Sequence, residues 1–347
     1  MKILLVSPLP PPAGGMALWT QQYLEFMNNK NIQVDVVNIA VTGKRAANYT
    51  KKNILGEVLR TLNIFKNTLI FAVRGKYGLV HVNTSCSKNG ITRDKIVVQI
   101  LHFFKKKIIL QCHCDVRYAL GNERSFKAFK HMLKQSDKCL VLNKASRDFI
   151  RENFNTEALI VPNFISEEYE AAISAPKRIN ENIKTALYVG HILATKGCDI
   201  IIEAAKQYPQ IQFRLVGHVS RKFSEIILPE NVLLLGEKDR TQVNEEYKNA
   251  DVLLFPTHTE GFPLTVIEAM AYGLPIITTR VGAIPDILED EGAFYIPVNS
   301  EQALVEAIDK IKDTKCRNDM SSFNREKVKK YLINNVLDEL INNIYCG

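Results

Sequence analysis

No stretch of this chain reaches the roughly 18 uninterrupted apolar residues that a bilayer-spanning helix needs. The opening MKILLVS is apolar but stops at Pro8, Pro10, Pro11 and Pro12, which leaves neither the length nor the cleavage site of a secretory signal, so a cytoplasmic chain is expected. Regular cysteine spacing is also missing. The seven cysteines, Cys86, Cys112, Cys114, Cys139, Cys198, Cys316 and Cys346, are odd in number and scattered, which excludes a secreted disulfide scaffold and favours reduced thiols. Zinc-finger spacing, a basic zipper and an RNA-binding aromatic signature are all absent, so nucleic acid is not the expected partner. No short-period repeat or low-complexity tract interrupts the chain.

What is present is an ordinary globular composition, 46% hydrophobic and 24% charged, over 347 residues. That length exceeds what one core usually serves, and two domains are expected. The net charge of +8 is unevenly placed: residues 1–180 hold 27 Lys and Arg against 13 Asp and Glu, and the remainder holds 18 against 24. An acidic partner for the first half is implied, and an anionic membrane surface fits it best. The segment 51–76, KKNILGEVLRTLNIFKNTLIFAVRGK, interleaves Leu55, Leu59, Leu62, Phe65 and Leu69 with Lys51, Lys52, Arg60, Lys66 and Arg74, as a basic amphipathic helix does.

Short β-rich runs alternate with helical patterns. Ile3 to Ser7, Val34 to Asn38, Leu79 to Asn83, Ile108 to Gln111 and Cys139 to Leu142 read as strands of a parallel sheet covered by helices. The pattern pauses over the polar stretch Asn163 to Asn182, where the linker is expected. It resumes at Ala186 to Gly190, Phe213 to Gly217, Val232 to Leu235, Val252 to Pro256, Ile276 to Thr278 and Phe294 to Ile296. The expected fold class is therefore α/β, with Rossmann-like doubly wound domains at 1–165 and 183–325 and a C-terminal helix, 326–347, returning to the first. Ligands of such sheets bind beyond the carboxyl ends of the strands, so the post-strand loops are where chemistry belongs.

The most specific of these loops lies in DVLLFPTHTEGFPLTVIEAMAYGLPIITT, residues 251–279. A buried strand leads into a loop carrying Glu260 and Phe262, Pro263 can open a helix, and Gly273 suits its end. Free amides near Leu264, Thr265 and Val266 at the helix N-terminus would suit a diphosphate. Two carboxylates flanking a helix start, Glu260 and Glu268, could also be no more than solvated acids favoured by the macrodipole.

Glu260, seven residues and Glu268, within EGFPLTVIEAMAYGLPII, resemble the hallmark of family 4 retaining glycosyltransferases, which have the GT-B fold of two Rossmann-like domains facing a cleft. The resemblance implies that Glu260 contacts the donor sugar and Glu268 the ribose of a nucleotide diphosphate donor. YVGHILATKG, residues 188–197, resembles the family's G-R-x4-K-G element. Lys196 matches the diphosphate-binding lysine, while His191 stands at the usual arginine position, charged only when protonated; Arg221 or Arg280 could substitute for it. VGAIPDILED, residues 281–290, resembles the next loop and is expected to shape the cleft. In PLPPPAGGMALW, residues 8–19, Gly14 and Gly15 resemble the loop that brings backbone amides to the leaving phosphate, though two glycines after prolines also make an ordinary turn.

His113, within QCHCD, matches a family histidine near the donor sugar; a purely structural role is the alternative. Its neighbours Cys112, Cys114 and Asp115 do not complete a zinc set, and the chain has no D-x-D acidic anchor, so no metal and no cofactor are expected. The function implied is a metal-independent, retaining hexosyl transfer from a UDP-sugar to a saccharide or lipid-linked saccharide acceptor in surface polysaccharide synthesis. A nucleotide-sugar epimerase and a noncatalytic nucleotide-sugar-binding subunit remain the alternatives.

Overall fold

A computed structural model describes residues 1–346 except 12–13, 42–53, 89, 176 and 178. The chain divides into two units, one comprising Met1–Asn163 with Val336–Gly347 and the other Phe164–Asn335.

In the first unit the elements run β1 (Lys2–Ser7), α1 (Gly15–Asn29), β2 (Gln33–Asn38), α2 (Ile54–Arg74), β3 (Leu79–Thr84), α3 (Gly90–Phe103), β4 (Ile108–Cys112), α4 (Val116–Ala119), α5 (Glu123–Gln135), β5 (Lys138–Val141), α6 (Lys144–Phe154) and β6 (Ala158–Ile160). The strands pair in parallel in the order β2-β1-β3-β4-β5-β6. Continuous apolar runs explain why β1, β3 and β4 are buried through almost their whole length, since helices cover both faces of a parallel sheet. Leu4, Val6, Val80, Val82, Ile108 and Leu110 form the centre of that core. Helices begin where a side chain can satisfy a free amide: Asn122 accepts from Ser125 N and Asn143 from Ser146 N. The C-terminal segment closes against this same unit, with Tyr345 Oη bonded to His81 Nδ1 and Tyr23 Oη, and Lys138 Nζ donating to Ile344 O.

The second unit contains α7 (Glu170–Ser174), β7 (Thr185–Val189), α8 (Cys198–Ala205), β8 (Gln212–Val216), α9 (Arg221–Ser224), β9 (Val232–Leu234), α10 (Arg240–Asn249), β10 (Val252–Phe255), α11 (Leu264–Ala271), β11 (Ile276–Thr279), α12 (Ile284–Leu288), β12 (Phe294–Ile296), α13 (Glu301–Lys310) and α14 (Thr314–Val328). Its parallel sheet has the order β12-β11-β10-β7-β8-β9. From β7 the chain winds outward to β9, then returns to β10 and winds the other way. The strand order therefore reverses between β7 and β10, and a crevice opens beyond the carboxyl ends of those two strands. In the first sheet the reversal falls between β1 and β3.

The stretch Asn163 to Asn182 holds more structure than its polarity suggests. A 3-10 turn (Glu167–Tyr169) and α7 occupy it, and buried Arg317 donates to Asn180 O and Glu181 O at 2.8 and 2.7 Å. Short helices of this kind gain order from tertiary ties rather than from propensity.

Candidate active site

At the reversal in the second sheet, the loop after β7 and the loop after β10 are locked together by backbone. Gly197 has φ +71°, and a Cβ there would lie 2.3 Å from Pro256 O, so only glycine fits. His258 N donates to Thr195 O at 3.1 Å across the same seam. This registry brings Lys196 to Glu260: Nζ stands 2.6 Å from Oε1 and also donates to Thr259 O at 3.3 Å. Thr257 Oγ1 adds a second contact to the Glu260 carboxylate at 3.2 Å. The Glu260 backbone is held from behind by the β11–α12 turn, where Gly282, at φ +55°, would place a Cβ 1.9 Å from Glu260 O, and where Ala283 N donates to Gly261 O. That is the packing role expected for VGAIPDILED.

Helix α11 begins one residue later than the sequence suggests. Pro263 is its N-cap, with ψ 114°, and Leu264 is the first helical residue. Thr265 Oγ1 donates to Val189 O at the end of β7, which ties the head of the helix to the crevice, and Phe262 is buried edge-on to Tyr331. Gly273, at φ +65°, follows the C-cap Tyr272, as a C′ glycine should.

Glu268 lies one turn along α11, half-buried by surface yet densely surrounded by protein. Tyr247 Oη donates to its Oε2 at 3.1 Å, its ring stacked on Tyr272, while Tyr169 and Arg240 complete the enclosure. Loss of solvation raises its pKa above the ordinary 4.5, opposed by the positive charge of Arg240. Arg240 itself lies over the Tyr169 ring and pairs with Glu168. Sequence reasoning missed this shell: Tyr169 and Glu168 fall in the stretch assigned to the linker, and Tyr247 and Arg240 belong to a helix with no motif of its own.

His191 is exposed, its ring edge-on to His218 at 6.1 Å, and its carbonyl accepts from Tyr188 Oη at 2.9 Å. The two arginines that could substitute for it are engaged elsewhere. Arg221 pairs with Glu225, and Arg280 stacks on Tyr295 and pairs with Asp290.

In the first unit, Gly14 caps α1 after β1. Its φ of 175° is extended backbone that any residue adopts, and Gly15 is not left-handed either, so neither position calls on glycine's conformational freedom. What the two glycines do leave is space, because a Cβ at either would meet nothing within 4 Å. His113 follows β4, and its amide donates to Thr84 O at 2.8 Å. Trp19 lies edge-on to the His113 ring at 5.0 Å and to His81 at 5.8 Å, and it stacks on Tyr23 at 4.8 Å. Burial first, and His81 second, push the His113 pKa from 6.5 down to about 3, so the ring is neutral. Its Nε2 has no hydrogen-bond partner among the described residues. Cys86 and Cys112 are buried free thiols, and Cys114 is a half-buried one. Among the described residues, no group of three or more His, Cys, Asp or Glu side chains is arranged to hold a metal.

A lysine–carboxylate pair and a helix head thus meet at one crevice of a doubly wound sheet, with Glu268 one turn along that helix, and the sequence carrying them is of a known kind. Residues 170–327 match the family model for glycosyl transferases group 1. Relatives point the same way. An uncharacterized glycosyltransferase from Methanocaldococcus jannaschii is 29% identical over 47% of this chain and 45% of its own length. The capsular polysaccharide biosynthesis glycosyltransferase CapM of Staphylococcus aureus is 27% identical over 70% of this chain and 64% of its own. The chain thus spans from about half to two thirds of these relatives. The crystal structure of Anabaena HepE in complex with UDP superposes over 100% of both chains with a TM-score of 0.75 at 15% identity, which shows the shared fold. The α/β GT-B fold expected from the sequence is therefore the fold observed, and the matches support a glycosyltransferase.

Proposed function

We propose that this chain is a family 4 retaining glycosyltransferase that moves a hexosyl unit from a UDP-sugar, without metal, to a saccharide or lipid-linked saccharide in surface polysaccharide synthesis. The observation that carries the reading is the Lys196–Glu260 contact of 2.6 Å at the sheet reversal, just ahead of α11, which carries Glu268 one turn along its length. An ammonium held by a single partly exposed carboxylate can exchange that partner for a diphosphate, which offers more charge and more acceptor oxygens. Released from the lysine, Glu260 is then available to the sugar hydroxyls. Glu268, braced by Tyr247, accepts from the ribose hydroxyls, and the amides of Leu264 and Thr265 with the His191 ring complete the hold on the phosphates. UDP bound to HepE supports uracil as the base, and the part played by CapM in capsule biosynthesis supports the acceptor class.

In this reading the bond between the anomeric carbon and the leaving phosphate oxygen breaks as the acceptor hydroxyl oxygen bonds to the same face. The hydroxyl proton passes to the leaving phosphate, which makes a strong protein base unnecessary. His113, neutral and with Nε2 open, offers a hydrogen bond to the sugar rather than a charge. Gly14 and Gly15 leave the head of α1 clear for the phosphates.

The test is a panel of nucleotide sugars incubated without acceptor and in the presence of a chelator, followed by NMR of the released sugar. One UDP-sugar should be hydrolysed slowly, with chelator making no difference and the α-anomer appearing first from an α-linked donor. Release of the inverted anomer, activity abolished by chelator, or isomerised donor without free nucleotide would each overturn part of the reading.

A further inference from the structure

Helix α2 buries only part of its circumference. Ile64, Thr68 and Ala72 face inward and Phe65 leans on the core, while Leu55, Leu59, Leu62, Leu69 and Val73 are 46–69% exposed. Spacings of three and four residues set these five side chains, with Lys66 among them, along one line of the helix. Arg60, expected on the same basic face, instead turns inward to Ile39 O and Glu57; Lys51 and Lys52 lie outside the described residues.

The helices beside α2 extend this face. α2 packs on α3 and α3 on α5. Lys106 Nζ donates to Gly75 O at 3.1 Å, which brings the carboxyl ends of α2 and α3 together, and there Phe103 is 77% exposed beside exposed Lys105. The three helices carry nine Lys and Arg against three acids. Each acid is already paired within the layer: Glu57 with Arg60 at 2.8 Å, Asp94 with Arg93 at 2.6 Å and Glu123 with Lys127 at 2.7 Å. Lys66, Arg74, Arg124, Lys130 and Lys134 are exposed and have no carboxylate partner among the described residues.

An apolar line flanked by uncompensated cations matches one kind of surface. A second copy of this chain would set positive face against positive face, and an apolar protein groove would leave the lysines without counter-charge. A bilayer containing anionic lipid satisfies both parts, taking the leucines into the headgroup boundary and setting phosphates against the cations. Among the described residues no helix is long and apolar enough to cross a membrane, so the contact is one of docking. We propose that the outer face of the α2–α3–α5 layer docks the chain on an anionic bilayer. The inference stands apart from the proposed reaction, because neither its argument nor its test involves a sugar.

The test is vesicle co-sedimentation of the full chain with phosphatidylcholine alone and with phosphatidylcholine containing phosphatidylglycerol. The wild type should sediment only with the anionic vesicles and be released as salt rises. Leu59→Gln with Leu62→Gln, and separately Lys130→Glu with Lys134→Glu, should each weaken binding at least about 10-fold, as expected for cations each contributing near an anionic surface. Both variants should melt like the wild type, since the altered side chains are exposed. Equal sedimentation with neutral vesicles, no sedimentation with either, or binding unchanged in both variants would overturn the proposal. So would a concentration-dependent dimer in sedimentation velocity that the leucine variant abolishes. Titration of UDP into the same preparation keeps the two proposals separate: UDP binding without vesicle binding removes the docking surface alone.

Discussion

At the reversal of the second sheet the side chains are charged and exchangeable, whereas at that of the first they are neutral and enclosed. Lys196 and Glu260 meet with both side chains partly open to solvent. His113 and His81 sit among Trp19, Tyr23 and Tyr345, and burial holds both imidazoles in the neutral form. The same division holds for backbone. The second crevice is sealed by glycines that admit no Cβ, Gly197 and Gly282, while Gly14 and Gly15 stand in open space. One reversal thus holds a charged pair on a rigid frame, and the other holds neutral rings in an apolar enclosure. Each half of that contrast can be broken separately.

The largest effect is expected at the sealed glycines. Gly282→Ala combines a left-handed φ with a contact of 1.9 Å to backbone, and Gly197→Ala one of 2.3 Å, so each should lower unfolding free energy by about 3 kcal/mol or more. Gly14→Ala should change it by less than about 0.5 kcal/mol, as for an unencumbered site. Urea denaturation of the three variants measures this. Equal losses at Gly14 and Gly282 would erase the distinction between a frame and an open loop.

Protonation comes next. His81 and His113 both have a pKa lowered from 6.5 to about 3, so between those values the unfolded chain takes up protons that the folded chain refuses. Stability from this source is complete above pH 6.5 and is lost as pH falls toward 3, by up to about 1.4 kcal/mol per pH unit for each imidazole. Denaturation at pH 7 and pH 5 should differ by about 2 to 4 kcal/mol in the wild type and by clearly less in His81→Gln or His113→Gln. A wild type equally stable at both values would mean that these rings are not buried as neutral groups.

A smaller effect should appear at Glu268, whose pKa is raised by burial. Uridine affinity should be full above that raised value and decline as pH falls through it, about 10-fold in all, as for loss of a charge-assisted hydrogen bond. In Glu268→Gln the affinity should be low and flat with pH. A wild-type titration that declines only in the ordinary range near 4.5 would remove the enclosure by Tyr247 and its neighbours from the account. The smallest change is expected from His191→Arg. A permanent charge should tighten UDP by about 3- to 10-fold while leaving uridine alone. Superimposable titrations would show that this exposed side chain takes no part.

Most of the sheet architecture was legible because parallel strands, buried on both faces, appear as unbroken apolar runs. Ala158 to Ile160 escaped notice because a strand of three residues is too short a run to stand out. Glu260, Glu268 and Lys196 were legible as a motif because each lies in a loop or helix immediately after a strand, where local sequence and site coincide. Their enclosure was not. Tyr169, Arg240 and Tyr247 converge on Glu268 from three separate segments, and no spacing along the chain encodes that meeting. The same holds for Trp19, His81 and Tyr345 around His113. Gly14 and Gly15 show the opposite error: a glycine pair suggests special dihedrals, yet neither is left-handed and both stand in open space.

The central claim is that the crevice between β7 and β10 holds a nucleotide diphosphate, with Lys196 on the phosphates and Glu268 on the ribose. Calorimetric titration of UDP and of uridine into the wild type, Lys196→Ala and Glu268→Ala tests it most directly. Charge-assisted hydrogen bonds of about 1.5 to 3 kcal/mol predict that Lys196→Ala loses roughly 10- to 100-fold in UDP affinity with uridine unchanged, while Glu268→Ala weakens both ligands alike. UDP and uridine affinities that stay at the wild-type level in both variants would contradict the account.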